Sequence, residues 1–144
     1  MLPTPNDLNA KIALRMRTMR ILWLALMISV VQFFVMFAVL TTRPADTKEN
    51  NVLSLALVIV GMSMTIASIL VRQKIVSQAI AQKSVAMVQQ AYIVAWALCE
   101  ASALMGLLDF FITANRFYYV PYVIALLGDL INFPRKGDVE AALF

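Results

Sequence analysis

Apolar and polar positions follow one another along this chain in long blocks. Four apolar runs, each almost free of charge, occupy about residues 21–41, 52–71, 91–113 and 117–133. Runs of about 20 apolar residues have the length that an α-helix needs to cross the hydrocarbon core of a bilayer. The pattern therefore predicts an all-α membrane protein with four transmembrane helices arranged as two hairpins, in a transmembrane domain covering residues 21–133.

The segments flanking these runs are polar. Residues 1–20 place apolar side chains on one helical face and basic ones around it, which predicts a short amphipathic helix on the cytoplasmic leaflet, with docking to a partner as the alternative. That apolar face consists of Leu8, Ile12, Met16 and Met19. The segment 72–90 contains neither proline nor glycine, so we expect helices two and three to continue through it. Residues 134–144 form a short polar tail.

Composition supports the membrane assignment, and charge sets the orientation. Hydrophobic residues make up 62% of the chain, whereas a soluble domain is about half apolar. The mean hydropathy is +0.81. Nine of its 12 Lys and Arg residues lie in the N-terminal segment, the 72–90 segment and the tail. The positive-inside rule then puts both termini in the cytoplasm. We expect the protein in a cytoplasmic membrane, such as the bacterial inner membrane.

Several classes of function find no support in the sequence. There is no histidine and only one cysteine, Cys99, so imidazole metal sites, His-based catalysis and an intrachain disulfide are excluded. We find no nucleophile–base pair, metal-ligand cluster, phosphate-binding loop or nucleic-acid motif. The sequence thus predicts no catalytic residue, no metal, no cofactor and no nucleic-acid partner, and a membrane enzyme is the least favoured interpretation.

The stretch "WALCEASALMG" (residues 96–106) places Glu100 near the middle of the third predicted span. A charged side chain at that depth costs about 2.5–3.5 kcal/mol or more, so we expect a neutral, paired or hydrated carboxyl. Glu100 is therefore the candidate proton- or ion-binding residue. Polar groups that could support it are Gln32, Thr65, Ser102 and Asp129. We expect Asp109 and Asp129 to be structural or interfacial, because each lies near the end of its span. Asp109 could pair with Arg116, and Asp129, near Arg135 and Lys136, could also be an entry group for protons.

Small residues predict where the helices touch. Ala95, Cys99, Ser102 and Gly106 recur at spacings of four, three and four on the third span, and Gly61 and Ser63 lie in the second. Small side chains allow two membrane helices to approach closely. These six residues form the predicted helix-contact seam.

The hairpin from about residue 52 to 113 resembles subunit c, the proteolipid of rotary ATP synthases. "GMSMTIA" is similar to the glycine-rich inner helix of that family, "AIAQKSVAMVQQ" to its polar cytoplasmic loop, and "ALCEASALMGLL" to its acid-bearing segment. The resemblance implies that Glu100 corresponds to the ion-carrying carboxylate. The chain has two further spans and only four glycines, and the polar loop reads Ala81-Gln82-Lys83-Ser84.

Two functions follow from this sequence. The first is a small non-catalytic membrane subunit, proteolipid-like, that packs in a homo-oligomer or beside a larger membrane complex with Glu100 as a buried hydrogen-bonding group. The second is a proton-translocating proteolipid in which Glu100 is the carrier, with protons favoured over sodium because Cys99 and Ala101 supply no side-chain oxygen ligand. The extra spans and the low glycine count favour the first.

Overall fold

A computed structural model of the chain describes residues 5–39, 50–113 and 116–143. Every regular element within these residues is a helix. A single 3₁₀ turn, Arg116–Tyr118, leads into the fourth α-helix. The five α-helices are α1 (Pro5–Val39), α2 (Asn51–Ala81), α3 (Val85–Thr113), α4 (Tyr119–Ile131) and α5 (Lys136–Ala141).

Three of these helices are long and apolar enough to cross a membrane. They are the segment Asn9–Met36 within α1, all of α2 and all of α3, and they identify the chain as an integral membrane protein. The α-helix of the fourth predicted span is shorter than expected, because the 3₁₀ turn occupies the first two residues of the span and α4 ends two residues before its last. The 13 residues of α4 extend about 20 Å, less than the roughly 30 Å hydrocarbon core.

Helix α1 joins the amphipathic segment and the first predicted span in one uninterrupted helix of 35 residues. The apolar face predicted in its first half is real, since Ile12, Met16 and Met19 are all buried. It is covered by protein, however. Its neighbours in this core cluster include Tyr92 and Trp96 of α3 and the α5 residue Val139. The expectation that this face rests on the leaflet is therefore wrong for these residues.

Helices α2 and α3 continue through the polar 72–90 segment except for a turn at residues 82–84. The amide of Ser84 donates to Ala79 O at 2.9 Å and that of Lys83 to Ile80 O at 3.1 Å. This is the Schellman pattern that ends many helices, with the residue after the C-cap in the left-handed region. Lys83, at φ 50°, occupies that position. The turn reverses the chain and brings α2 and α3 side by side.

Close packing of α2, α3 and α4 depends on three glycines. A Cβ atom at Gly61 would lie 2.8 Å from Pro121 Cβ, one at Gly106 would lie 2.6 Å from Tyr118 O, and one at Gly128 would lie 2.5 Å from Thr65 Cγ2. Real Cβ atoms do not approach other heavy atoms that closely, so a larger residue would force the helices apart. Glycine at these points lets the three helices form the compact centre of the bundle.

Helix α1 lies against α3 and α4 and makes no backbone contact with α2 in the part of the chain that the structure describes. Tyr122 of α4 donates a hydrogen bond to Val30 O of α1, and its ring lies 5.6 Å from that of Phe34. The expected pairing of spans one and two as a packed hairpin is therefore not found, although α2 and α3 do form one. The reason is that α2 directs its small buried residues toward α3 and α4. The connection between α1 and α2 lies outside the described residues.

Candidate functional site

Glu100 lies near the midpoint of α3 and is only half-buried. It interrupts a line of exposed apolar side chains on the face of α3 turned away from α2. The members of this line recur every three or four residues, and together with Glu100 we call them the outward stripe. Within the described residues, Glu100 makes no hydrogen bond or ion pair. The prediction that the chain's own polar groups hold this carboxyl finds no contact to support it. The outward stripe consists of Ile93, Ala97, Glu100, Leu104, Leu108 and Phe111.

Asp129, in the last turn of α4, is the carboxyl that the structure buries most completely without a partner. Its residue is 1% exposed, and neither Oδ1 nor Oδ2 receives a hydrogen bond. Glu100 on α3 is the acid whose negative charge would oppose ionisation of Asp129. An ionised carboxylate without a donor is very costly in such a place, so the geometry favours the protonated acid.

Polar side chains from α2, α3 and the end of α4 lie around Asp129. The Cys99 thiol, a weak donor, lies next to the Asp129 carboxyl group. Asn132 Nδ2 donates to Ser68 Oγ at 3.0 Å, and Ser68 Oγ lies 3.4 Å from Cys99 Sγ. Asn132 Oδ1 is a third buried oxygen without a partner. We call these four residues, Ser68, Cys99, Asp129 and Asn132, the Asp129 cluster.

Side chains from three other helices hold the end of α4 at this cluster. Trp23 Nε1 of α1 donates to Asp129 O at 3.0 Å, Arg72 Nη1 of α2 to Ile131 O at 3.1 Å, and Trp96 Nε1 of α3 to Asn132 O at 3.0 Å. The last carbonyls of a helix have no partner within it and carry its negative dipole end. Two indole donors and one guanidinium satisfy them here, and so fix where the Asp129 side chain lies.

Arg72 is itself buried and belongs to a second group of polar side chains next to the end of α4. Its guanidinium lies over the Tyr92 ring, 5.5 Å from the centroid. The Tyr92 hydroxyl donates to Asp138 Oδ2 at 2.6 Å and accepts the Arg135 amide at 3.2 Å. Sequence reasoning placed none of Arg72, Tyr92 and Asp138 in a site, and it used Arg72 only as a charge that sets the orientation. The only available signal was Arg72 at the end of an apolar run, which is also where a topology-setting charge stands.

Asp109 occupies a different, fully satisfied site near the other ends of α2 and α3. It is completely buried. Its Oδ2 accepts from Ser54 Oγ at 2.9 Å and its Oδ1 from Thr113 Oγ1 at 2.5 Å. Of the two roles expected for Asp109, the structural one fits these contacts and the interfacial one does not, because Ser54 and Thr113 supply donors for both oxygens inside the bundle.

The other predicted site residues divide into buried and exposed groups. Thr65 and Ser102 are buried, but their hydroxyls bond to backbone carbonyls, at 3.4 Å to Gly61 O and 3.3 Å to Pro121 O, and do not reach Glu100. Gln32 is exposed on α1, and Ser63 is exposed on α2 with its hydroxyl bonded to Ile59 O. The predicted seam residues that are buried are Gly61, Ala95, Cys99, Ser102 and Gly106.

Comparison with known proteins yields no match to a family model, to a curated protein or to a solved structure. The resemblance to the proteolipid hairpin therefore stays a prediction. The chemistry has to be read from the site itself. In the described residues no group of three or more Cys, Asp or Glu side chains could hold a metal ion. What the site offers is two acids, one buried and one half-exposed, which can hold protons or accept hydrogen bonds.

Proposed function

We propose that this chain is a small non-catalytic subunit of a membrane assembly, in a homo-oligomer or beside a larger complex, and that a second chain covers the outward stripe of α3. In this proposal the chain crosses a cytoplasmic membrane of bacterial type four times. The 3₁₀ turn and α4 together extend about 25 Å and form the shortest crossing. Both ends of the chain lie in the cytoplasm, where most of its Lys and Arg residues are found.

The observation that carries the proposal is the half-buried, unpartnered carboxyl of Glu100. A polar group that faces hydrocarbon without a partner is costly, and intramembrane acids therefore pair with other groups or face a polar interior. Among the described residues the chain supplies no donor for it. A donor from another copy or another subunit would satisfy it.

The surroundings of Glu100 fit a helix-contact surface. Ala97, one turn before Glu100, is small and exposed, and Leu104, one turn after it, is 40% exposed. A small residue beside a polar one lets a second helix approach closely enough for an interhelical hydrogen bond. The rest of the outward stripe would supply apolar contact above and below this point.

The test is the assembly state of the protein in lipid nanodiscs, measured by native mass spectrometry. We expect the wild type to associate with a further chain and Glu100→Leu to lose that association, because leucine removes the polar partner. Glu100→Gln should retain it, since the amide still donates and accepts. Ser63→Leu is the matched control, as it removes an exposed polar group from α2. A monomeric wild type, or an undiminished Glu100→Leu assembly, would contradict the proposal.

A second candidate function, proton translocation, is favoured by the presence of two acids within the helical bundle, Asp129 and Glu100. A proton could pass between a buried acid without donors and an acid at the bundle surface, which is the role that the proteolipid resemblance implies for Glu100. Carbodiimide labelling of Glu100 followed by mass spectrometry tests whether this acid is protonated and reachable from lipid. Proton flux into liposomes that is abolished by both Glu100→Gln and Asp129→Asn would support translocation. Flux equal to that of empty liposomes would exclude it for the isolated chain.

The two candidates are distinguished by Glu100→Gln. A subunit that needs only a hydrogen bond at this position tolerates the amide. A proton carrier does not, because an amide does not release a proton in the pH range in which a carboxyl group does. The packing of α2 supports the subunit role. Its buried face carries Ser54, Thr65 and Ser68 with a single glycine, Gly61, in contrast to the glycine-rich inner helix of a rotor ring.

A further inference from the structure

A groove of about 900 Å³ runs along α1 where this helix passes the ends of α4 and α5. Its volume falls in the range of small-molecule binding sites. Residues along one side of α1, from Asn9 to Leu24, form one wall over about 23 Å, and Phe133 and Lys136 contribute from the opposite side. The groove is open to the surroundings and lies where the first membrane-spanning segment begins.

The lining changes character along the length of the groove. Arg17, Arg20 and Lys136 supply positive charge, and no acidic side chain of the described residues lines the groove. Ile21, Leu24 and Phe133 line it with apolar surface, and all three are more than 40% exposed. Along α1 the exposed basic side chains are followed, in the direction of the membrane core, by the exposed apolar ones, as the parts of an amphiphilic lipid are. The larger apolar lining residues that come before Arg17, namely Ile12 and Met16, are buried.

The two arginines of the groove are available for a ligand. Neither Arg17 nor Arg20 forms a hydrogen bond or ion pair within the described residues, and both are exposed. Lys136 is different, since its Nζ lies 2.9 Å from Glu140 Oε1 in an exposed pair. Unpaired guanidinium groups three residues apart lie on the same side of a helix. They can hold one phosphate through parallel N–H···O bonds.

We infer that this groove binds an anionic glycerophospholipid, with the phosphate on Arg17 and Arg20 and an acyl chain along Ile21, Leu24 and Phe133. Charge complementarity and the order of polar and apolar lining both identify this occupant. The inference does not rest on the proposed function, because it concerns α1 and its neighbours, whereas the subunit proposal concerns the outward stripe of α3.

The test is lipid retention and thermal stability of the full chain. The protein is delipidated, placed in zwitterionic detergent and titrated with phosphatidylglycerol or phosphatidylcholine. Native mass spectrometry counts the bound lipids, and the unfolding temperature reports saturation. We expect phosphatidylglycerol to bind the wild type and raise its unfolding temperature. The double variant Arg17→Gln/Arg20→Gln should weaken that binding about 25-fold, from about 5-fold per arginine.

Helix α1 also provides a charge-matched control. Lys11 and Arg15 lie on another side of the same helix, where they line a smaller groove of about 160 Å³. The double variant Lys11→Gln/Arg15→Gln removes the same charge, together with the hydrogen bond from Arg15 Nη1 to Gln89 Oε1. It should weaken phosphatidylglycerol binding by no more than about 5-fold, well below the loss expected for the groove variant.

Four results would overturn the inference. The first is an equal loss of affinity in both double variants, which would mean general surface attraction. The second is equal binding of phosphatidylglycerol and phosphatidylcholine. The third is displacement of bound phosphatidylglycerol by an equal concentration of glycerol phosphate, which would mean that the groove is a site for a free phosphate group. The fourth is the absence of bound lipid on the wild type.

Discussion

The hydroxyl of Ser54 on α2 donates a 2.9 Å hydrogen bond to the carboxylate of Asp109 on α3. Both residues are buried, and the bond lies near the ends of the two helices that are far from their connecting turn. It therefore fixes the register of a long hairpin at its open end. The Schellman turn at Lys83 does the same at the closed end.

We expect Ser54→Ala to lower the free energy of unfolding by about 1–2 kcal/mol. Interhelical hydrogen bonds in membranes contribute about 0.6 kcal/mol on average and up to 1.7 kcal/mol, and the variant leaves one Asp109 oxygen without a donor. Unfolding in bicelles by steric trapping measures this change. Ser63→Ala is the control, because that hydroxyl is exposed and bonds within its own helix. Equal effects of the two variants would contradict the assigned role of Ser54.

The two buried aspartates should respond oppositely to leucine, which has nearly the same shape. Asp129→Leu removes two unsatisfied oxygens, and we expect it to raise the free energy of unfolding by about 1–3 kcal/mol. Asp109→Leu leaves the buried Ser54 hydroxyl without an acceptor and should lower the free energy of unfolding by a similar amount. The same steric-trapping assay applies to both. A loss of stability in Asp129→Leu would mean that the carboxyl has a partner in the membrane.

Substitution of Gly128 tests the packing of α4 against α2. In Gly128→Ala the new methyl group would meet Thr65 Cγ2 at 2.5 Å and Cys99 Sγ at 2.9 Å. Overpacking of this kind costs about 1–3 kcal/mol. Gly137→Ala is the control, because nothing lies within 4 Å of a Cβ there, and alanine is the better helix former by up to about 1 kcal/mol. Unchanged thermal unfolding of Gly128→Ala would show that α4 can move away.

The turn between α2 and α3 should be improved by glycine. Lys83 has a positive φ, which costs a side-chain-bearing residue about 1–2 kcal/mol relative to the right-handed region. We expect Lys83→Gly to stabilise the protein by about 0.5–1 kcal/mol, after the greater freedom of glycine in the unfolded chain is counted. Thermal unfolding in detergent measures the shift, and Lys74→Gly, in the regular part of α2, should destabilise instead. Destabilisation by Lys83→Gly would contradict the role of the turn.

Sequence patterns could predict the helical class and the positions of the long apolar helices, because a membrane span depends on length and polarity alone. They also identified the buried face of Ile12, Met16 and Met19. They misjudged what covers that face, since periodicity shows which residues seek burial and not which surface buries them. The short α4 was overestimated for a related reason. Apolar residues of the 3₁₀ turn extend the run without extending the α-helix.

The candidate site was harder to predict. Glu100 drew attention because it interrupts an apolar run, but the structure leaves it half-exposed and buries Asp129 without a partner. Asp129 stands near basic residues in the sequence, which suggested an interfacial position. Its burial follows from the three side-chain donors that hold the α4 carbonyls, and two of these come from tryptophans far away along the chain. Such a convergence is created by tertiary packing and leaves no local pattern.

The continuity of α1 has a mechanical consequence. An unbroken helix of 35 residues moves as one body, and it can tilt about the hydrogen bond from Trp23 Nε1 to Asp129 O. The arm from Trp23 back to Asn9 is about 21 Å long, so a tilt of about 10° in the membrane half displaces its tip by about 4 Å. The arm is embedded in the core beside Tyr92 and Trp96. A change in bilayer thickness that tilts the membrane half of α1 is therefore expected to move the first turns of this helix as well.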